Sequence, residues 1–167
     1  MNLLIPLVCL LLNIADNDSN CCNVSAFLIP KNQQIPIYKE SNHKEILCYI
    51  INDTMTEDYF IATIFRIERN YAYVKGSYVL EEGNDIEGWI EKKYLGTNII
   101  SESKVPLYSA PKISSKKIYI TNPEWYPIEI IKCYKDWVYI IYEDKNQKRM
   151  GWLLLEYQCS NPYTTCN

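Results

Sequence analysis

The chain has 167 residues, 48% of them hydrophobic, with a formal net charge of −3 and one histidine. That length supports one ordinary domain or two small ones, and a slightly acidic balance gives no clustered positive charge with which to hold nucleic acid. With a single histidine and no Cys-x-x-Cys pair, a zinc site lacks both ligands and spacing; no metal or cofactor is expected.

Residues 1–12 are almost wholly apolar, too short to cross a bilayer and about right for the core of an export signal. Residues 1–23 therefore read as an export signal and polar linker, although no Lys or Arg precedes the apolar run and Asn13-Ile14-Ala15 is a poor cleavage site; the alternative is a buried N-terminal strand. Export places the protein in a periplasm, cell envelope or extracellular space, with no membrane insertion after signal removal. The six cysteines beyond Cys9 are then in an oxidising compartment. Cys48, inside an apolar run, and Cys133 read as buried small hydrophobes. Cys159 and Cys166 flank a short polar tail and are the best single disulfide pairing.

The ordered part is expected to start near Phe27. From there, short segments rich in Ile, Val, Tyr and Trp alternate with polar turns, and no segment holds a long helical period, so the chain reads as all-β. Strands are expected within residues 46–51, 59–69, 71–74 and 88–90, then 117–120, 125–134, 137–142 and 151–155. Alternation puts Ala72, Val74, Val138 and Ile140 inward, and Tyr71, Tyr73, Trp137 and Tyr139 on the opposite face. Trp89 and Trp152 follow Gly88 and Gly151, glycines that admit a neighbouring strand closely, and both indoles are assigned to structure.

Three motifs occur twice in one order: Ile35-Pro36-Ile37-Tyr38, Asn70-Tyr71-Ala72-Tyr73-Val74 and Gly88-Trp89-Ile90 return as Val105-Pro106-Leu107-Tyr108, Asp136-Trp137-Val138-Tyr139-Ile140 and Gly151-Trp152-Leu153. The offset is 70 residues between Ile35 and Val105, 66 between Tyr71 and Trp137 and 63 between Trp89 and Trp152, the signature of a duplicated unit with length changes in its loops. Residues 96–104 form the joint between copies.

An opening apolar-Pro-apolar-Tyr followed by Ser109-Ala110-Pro111, a middle strand of the Asp136-Trp137-Val138 kind and a closing Gly151-Trp152-Leu153 resemble a bacterial SH3-like (SH3b) domain. The first copy departs from the pattern at Tyr71, which replaces the middle tryptophan, and at Ser41, where a proline is expected. The resemblance implies two tandem small SH3-like barrels, residues 27–97 and 102–160, with 161–167 as a polar tail. It also implies a bound peptide or envelope polymer held by the opening aromatic and the middle-strand aromatic: Tyr38 and Tyr71 in the first copy, Tyr108 and Trp137 in the second. Tyr73 and Tyr139 share their face and complete the candidate ligand-binding set. Fifteen tyrosines suit recognition, because each offers a rigid apolar face with a polar tip, but tyrosine is also an ordinary strand former.

Catalytic constellations are not found. Cysteine-histidine chemistry would rest on Cys48 in an apolar strand and His43 in a polar turn, and no Gly-x-Ser-x-Gly elbow or Gly-rich phosphate loop is present. Glu81, Glu82, Asp85 and Glu87 read as a solvated hairpin tip rather than a calcium loop; Asn23-Val24-Ser25 and Asn52-Asp53-Thr54 match the glycosylation sequon. The expected role is a non-catalytic exported binding module for a peptide or a peptidoglycan-type ligand. The alternative is a protein-interaction or inhibitory, immunity-like subunit without wall affinity.

Overall fold

The computed structural model describes residues 21–52, 55, 58–81, 83–163 and 166; the expected export signal lies outside them. Among the described residues, runs of β-branched and aromatic residues broken by polar turns form thirteen strands. They are β1 (Cys21–Leu28), β2 (Ile35–Tyr38), β3 (Ile46–Ile50), β4 (Phe60–Glu68), β5 (Tyr71–Tyr78), β6 (Ile86–Glu91) and β7 (Leu95–Ile99), then β8 (Lys104–Tyr108), β9 (Lys117–Thr121), β10 (Ile128–Tyr134), β11 (Trp137–Glu143), β12 (Lys148–Leu154) and β13 (Gln158–Cys159). Short 3₁₀ turns at Lys92–Tyr94 and Leu155–Tyr157 each precede a final strand. The all-β expectation holds, and the described residues contain no α-helix.

The strands join in one continuous antiparallel sheet, in the order β3-β2-β6-β5-β4-β1-β7-β10-β11-β12-β8-β9, with β13 beside β7. Read inward from its two ends, this path gives β3-β2-β6-β5-β4 and β9-β8-β12-β11-β10, the same pairing order in each half. Local details agree as well. A register shift interrupts β4 between Ile64 and Arg66 and β10 between Ile130 and Lys132. Each of these strands then turns back through a two-residue loop whose first residue, Arg69 or Lys135, has a φ of 53° or 50°.

Alternation decides the core. Phe60, Ala62 and Ile64 on β4, Ala72 and Val74 on β5, and Val138, Ile140 and Tyr142 on β11 all point inward and are buried, as the period of two requires. Gly88 and Gly151 let the opening strands lie close: a Cβ on Gly88 would stand 2.6 Å from Ile37 Cγ2 and 2.7 Å from the Tyr38 carbonyl oxygen, and one on Gly151 2.9 Å from the Tyr108 carbonyl oxygen.

Three expectations are corrected. First, the expected linker up to residue 23, with order starting near Phe27, gives way to a strand that begins at Cys21. Its polar residues Asn23 and Ser25 occupy only the outward positions, while Cys22, Val24, Ala26 and Leu28 are buried. Second, the expected joint contains β7, whose five residues are all buried because it hydrogen-bonds to β1 on one side and to β10 and β13. The chain between the halves shrinks to residues 100–103. Third, Cys133 is buried as expected, but as half of a disulfide with Cys22. That bond ties β1 to the second half, where the Asn23 amide donates to the Lys135 carbonyl at 2.8 Å and the Lys135 amide to the Cys21 carbonyl at 2.7 Å.

The expected Cys159–Cys166 disulfide is present. Cys48 is free and only half-buried, packed against the core. Asn52 of the second sequon is buried with its amide committed: Nδ2 donates to the Leu28 carbonyl at 2.6 Å and Oδ1 accepts from the Phe60 amide at 2.9 Å.

Candidate functional site

The residues between the inward positions of β2, β5 and β6, and of β8, β11 and β12, all fall on the outer face of the sheet, and in both halves aromatic residues stand there at matching positions. Trp89 on β6 pairs across the ladder with Tyr73 of β5 on one side and Tyr38 of β2 on the other. Trp152 on β12 pairs in the same way with Tyr139 of β11 and Tyr108 of β8. Each half therefore carries a row of Tyr-Trp-Tyr across three strands. The ring pairs Tyr73–Trp89 and Tyr139–Trp152 have centroids 5.3 and 5.5 Å apart, in the range where aromatic pairs attract.

A second aromatic flanks the opening tyrosine. Tyr71 lies edge-on to Tyr38 at 5.9 Å, and Trp137 edge-on to Tyr108 at 5.0 Å. The 3₁₀ turns complete both clusters with Tyr94 and Tyr157. The Tyr38 phenol is held above its ordinary value first by burial, then by Tyr71, Glu91, Tyr49 and Tyr94 around it. Tyr157 is raised by burial, then by Glu156, Tyr108 and Glu102.

The halves differ in what covers this face. In the first, the ring of His43, from the β2–β3 loop, stacks on Tyr71 with centroids 3.3 Å apart and planes 11° from parallel, and stands edge-on to Tyr38 and Trp89 at 5.7 and 6.1 Å. The Arg66 guanidinium lies over Trp89 at 4.9 Å, and Trp89 keeps 4% of its surface exposed. In the second half the β8–β9 loop, residues 109–116, has no aromatic residue and no histidine. Trp152, Tyr139 and Tyr157 are half-buried, as Tyr38, Tyr71 and Tyr73 are in the first half. The rows therefore differ at Trp152, half-exposed where Trp89 is buried, and at Tyr108, buried where Tyr38 is not. Lys117 Nζ sits 4.8 Å from the Tyr108 ring.

Charge differs too. The first loop balances Lys39 and Lys44 against Glu40 and Glu45, with Lys39 and Glu45 paired at 3.1 Å; the second carries Lys112 and Lys116 with no acid, followed by Lys117. Lys104 Nζ lies 4.2 Å from the half-exposed Tyr119 ring on the same hairpin. The β8–β9 side of the second cluster is therefore positive, while Glu156 and Glu102 lie by Tyr157; positive charge beside aromatic faces favours a ligand with carboxylates on the β8–β9 side.

Of the six residues expected to bind ligand, all lie on this outer face, and each half collects its own three. Tyr38, Tyr71, Tyr73 and Tyr139 are half-buried. Tyr108 and Trp137 are corrected: at 3% and 7% exposed, they form the floor of the cluster. Strand alternation puts a side chain on the outer face, but the neighbouring strand and the 3₁₀ turn then cover it. Trp89 and Trp152, assigned to structure, stand at the centre of each row, where their opposite parity to Gly88 and Ile90, and to Gly151 and Leu153, places them. Tyr94 and Tyr157 were missed, although each follows its Gly-Trp by five residues in both copies. His43 has no counterpart in the second copy and left no signal in the repeat.

The other candidates find local uses. Burial pushes the Cys48 thiol up, the opposite of what a nucleophilic thiolate needs, while His43 is engaged by the aromatic rings. Asp85 pairs with Lys75 at 3.1 Å, and Glu87 accepts from the Tyr73 hydroxyl, an interaction that, after burial, helps push that phenol up to about 12. Glu82 lies outside the described residues.

No family model matches the chain, and no curated protein does. Among solved structures it is similar to NlpC2 from Trichomonas vaginalis, at 16% identity and a TM-score of 0.34, over 86% of this chain and 49% of that one. The chain thus spans about half the length of that protein, and a likeness of this degree carries no argument about fold or activity.

Proposed function

We propose that the chain is built as two SH3-like barrels that share β7, and that it acts as an exported, non-catalytic binding module whose second half holds a peptide or peptidoglycan-type ligand. The observation that carries the reading is the half-exposed Tyr139–Trp152 pair, continued by Tyr108 and capped by Lys117. The Tyr139 and Trp152 rings offer an apolar strip floored by the buried Tyr108, and Lys104 and Lys117 stand where they can meet the carboxylates of a wall peptide. The repeated pairing order and the 3₁₀ turn before each last strand support the barrel reading, and two disulfides agree with an oxidising compartment.

Co-sedimentation of the full chain with isolated peptidoglycan sacculi tests it. Wild type is expected to sediment, and Trp152→Ala, which alters a half-exposed ring, to weaken binding by about tenfold while circular dichroism stays unchanged. A folded wild type that stays in the supernatant sinks the wall reading and favours the second one, a protein partner. That second reading draws on Ile46, Leu47 and Tyr49, exposed on β3 at one end of the strand path, where an apolar edge is open to another chain.

A further inference from the structure

The first-half cluster is a ring-binding slot that the protein fills with its own side chain. His43 has a φ of +57°, a left-handed backbone that a non-glycine residue adopts at a cost and that persists where surrounding contacts hold it. The contacts on this ring are one stacked and two edge-on aromatic faces. Its Nε2 is buried without a hydrogen-bond partner, so packing rather than polar recognition keeps it there.

The loop that carries His43 is closed on itself. The Lys39 amide donates to the Glu45 carbonyl and the His43 amide to the Glu40 carbonyl, both at 3.0 Å, and Asn42 Oδ1 accepts from the Lys44 amide at 2.9 Å. Such a loop keeps its own hydrogen bonds when it swings, so withdrawing His43 need break little beyond the ring contacts. Beneath it Tyr38, Tyr71 and Trp89 occupy the positions of Tyr108, Trp137 and Trp152, which no loop ring covers in the second half.

We propose, resting on the groove reading above, that His43 is an autoinhibitory plug, and that the Tyr38–Tyr71–Trp89 slot accepts a flat unsaturated ring of imidazole size when the β2–β3 loop moves away. The first half is thus a latent second site, closed at rest, beside the half-exposed Trp152 of the second half.

The test uses the full chain and 4-methylimidazole, the free analogue of the plug, followed by NMR on the Tyr71 and Trp89 ring signals. In His43→Gly, which suits the left-handed backbone, the probe is expected to shift both signals saturably, with an affinity about tenfold or more above that for wild type. Adding Tyr71→Ala to that variant is expected to abolish the shifts, and His43→Phe, which keeps a ring in place, to stay as closed as wild type. A folded His43→Gly chain whose Tyr71 and Trp89 signals do not respond overturns the slot, and equal binding by wild type overturns the plug; His43→Asn, tolerant of the same φ, replaces the glycine variant if that one unfolds. Because the probe is not a wall component, absence of sacculus binding leaves these outcomes readable.

Discussion

The two halves set the same strand order and the same Tyr-Trp-Tyr row against different coverings. The first covers its row with His43 and Arg66, balances the charge of its loop and buries Trp89; the second leaves Trp152 half-exposed and carries lysines without acids in its β8–β9 loop. Equivalent backbones thus carry differently covered aromatic rows, Trp89 buried under His43 and Arg66 in the first and Trp152 half-exposed above the buried Tyr108 and Trp137 in the second, and a loop of seven or eight residues supplies much of the difference.

The largest expected effect comes from cutting what binds the halves together. Cys22 and Cys133 are 111 residues apart in sequence and Cys159 and Cys166 only 7, so chain-entropy reasoning gives about 4–5 kcal/mol for the first disulfide and about 2 kcal/mol for the second. Denaturant unfolding of Cys22→Ser/Cys133→Ser beside Cys159→Ser/Cys166→Ser checks that order. A reversed order would mean that β1 does not hold the second half.

Next come the matched middle-strand aromatics. Trp137→Ala removes a buried ring and is expected to cost about 3–5 kcal/mol. Tyr71→Ala, at a half-exposed position, is expected to cost clearly less, so Trp137→Ala is unsuitable as a binding variant. Gly88→Ala and Gly151→Ala are expected to cost about 1–3 kcal/mol by overpacking, the former more because its Cβ would approach Ile37 and Tyr38 more closely. Thermal unfolding of the pairs compares the halves directly.

A smaller effect is set by pH. Each half holds one tyrosine pushed up to about 12, mainly by burial: Tyr73 beside Glu87, and Tyr142, whose hydroxyl accepts from the Glu124 amide and donates to Asp144. Since the neutral phenol is favoured in the fold, this stability is complete below the ordinary value of 10.0 and is lost as pH rises toward about 12. Spectrophotometric titration should find these two among the last tyrosines to ionise, with Tyr73→Phe and Tyr142→Phe each removing one late proton. Asp144, lowered chiefly by the Asn146 amide, has the opposite sign: its contribution is present above the ordinary carboxylate range and fades as pH falls through its lowered value.

Much of this was legible in the chain. Alternation within 71–74 and 137–142 assigns the inward residues because the period of two leaves no other face, and the places of Cys159 and Cys166 on either side of a short polar tail make theirs the best single pairing. What was not legible depends on long-range pairing. β1 looks like a linker because composition averages its polar outward and apolar inward positions, and β7 looks like a joint because its Gly, Thr and Asn are buried only by strands from both halves. The Cys22–Cys133 bond needs β1 to reach β10. Exposure was misjudged for Tyr108 and Trp137 because a face says which way a side chain points, not what later covers it.

The central proposal, that the Tyr139–Trp152 pair rather than the His43-covered first row takes the ligand, is tested most directly at the matched cross-strand tyrosines. Sacculus binding by full chains carrying Tyr139→Ala or Tyr73→Ala should fall by about tenfold for the former and stay within about twofold of wild type for the latter. Equal losses, or a loss confined to Tyr73→Ala, would contradict it.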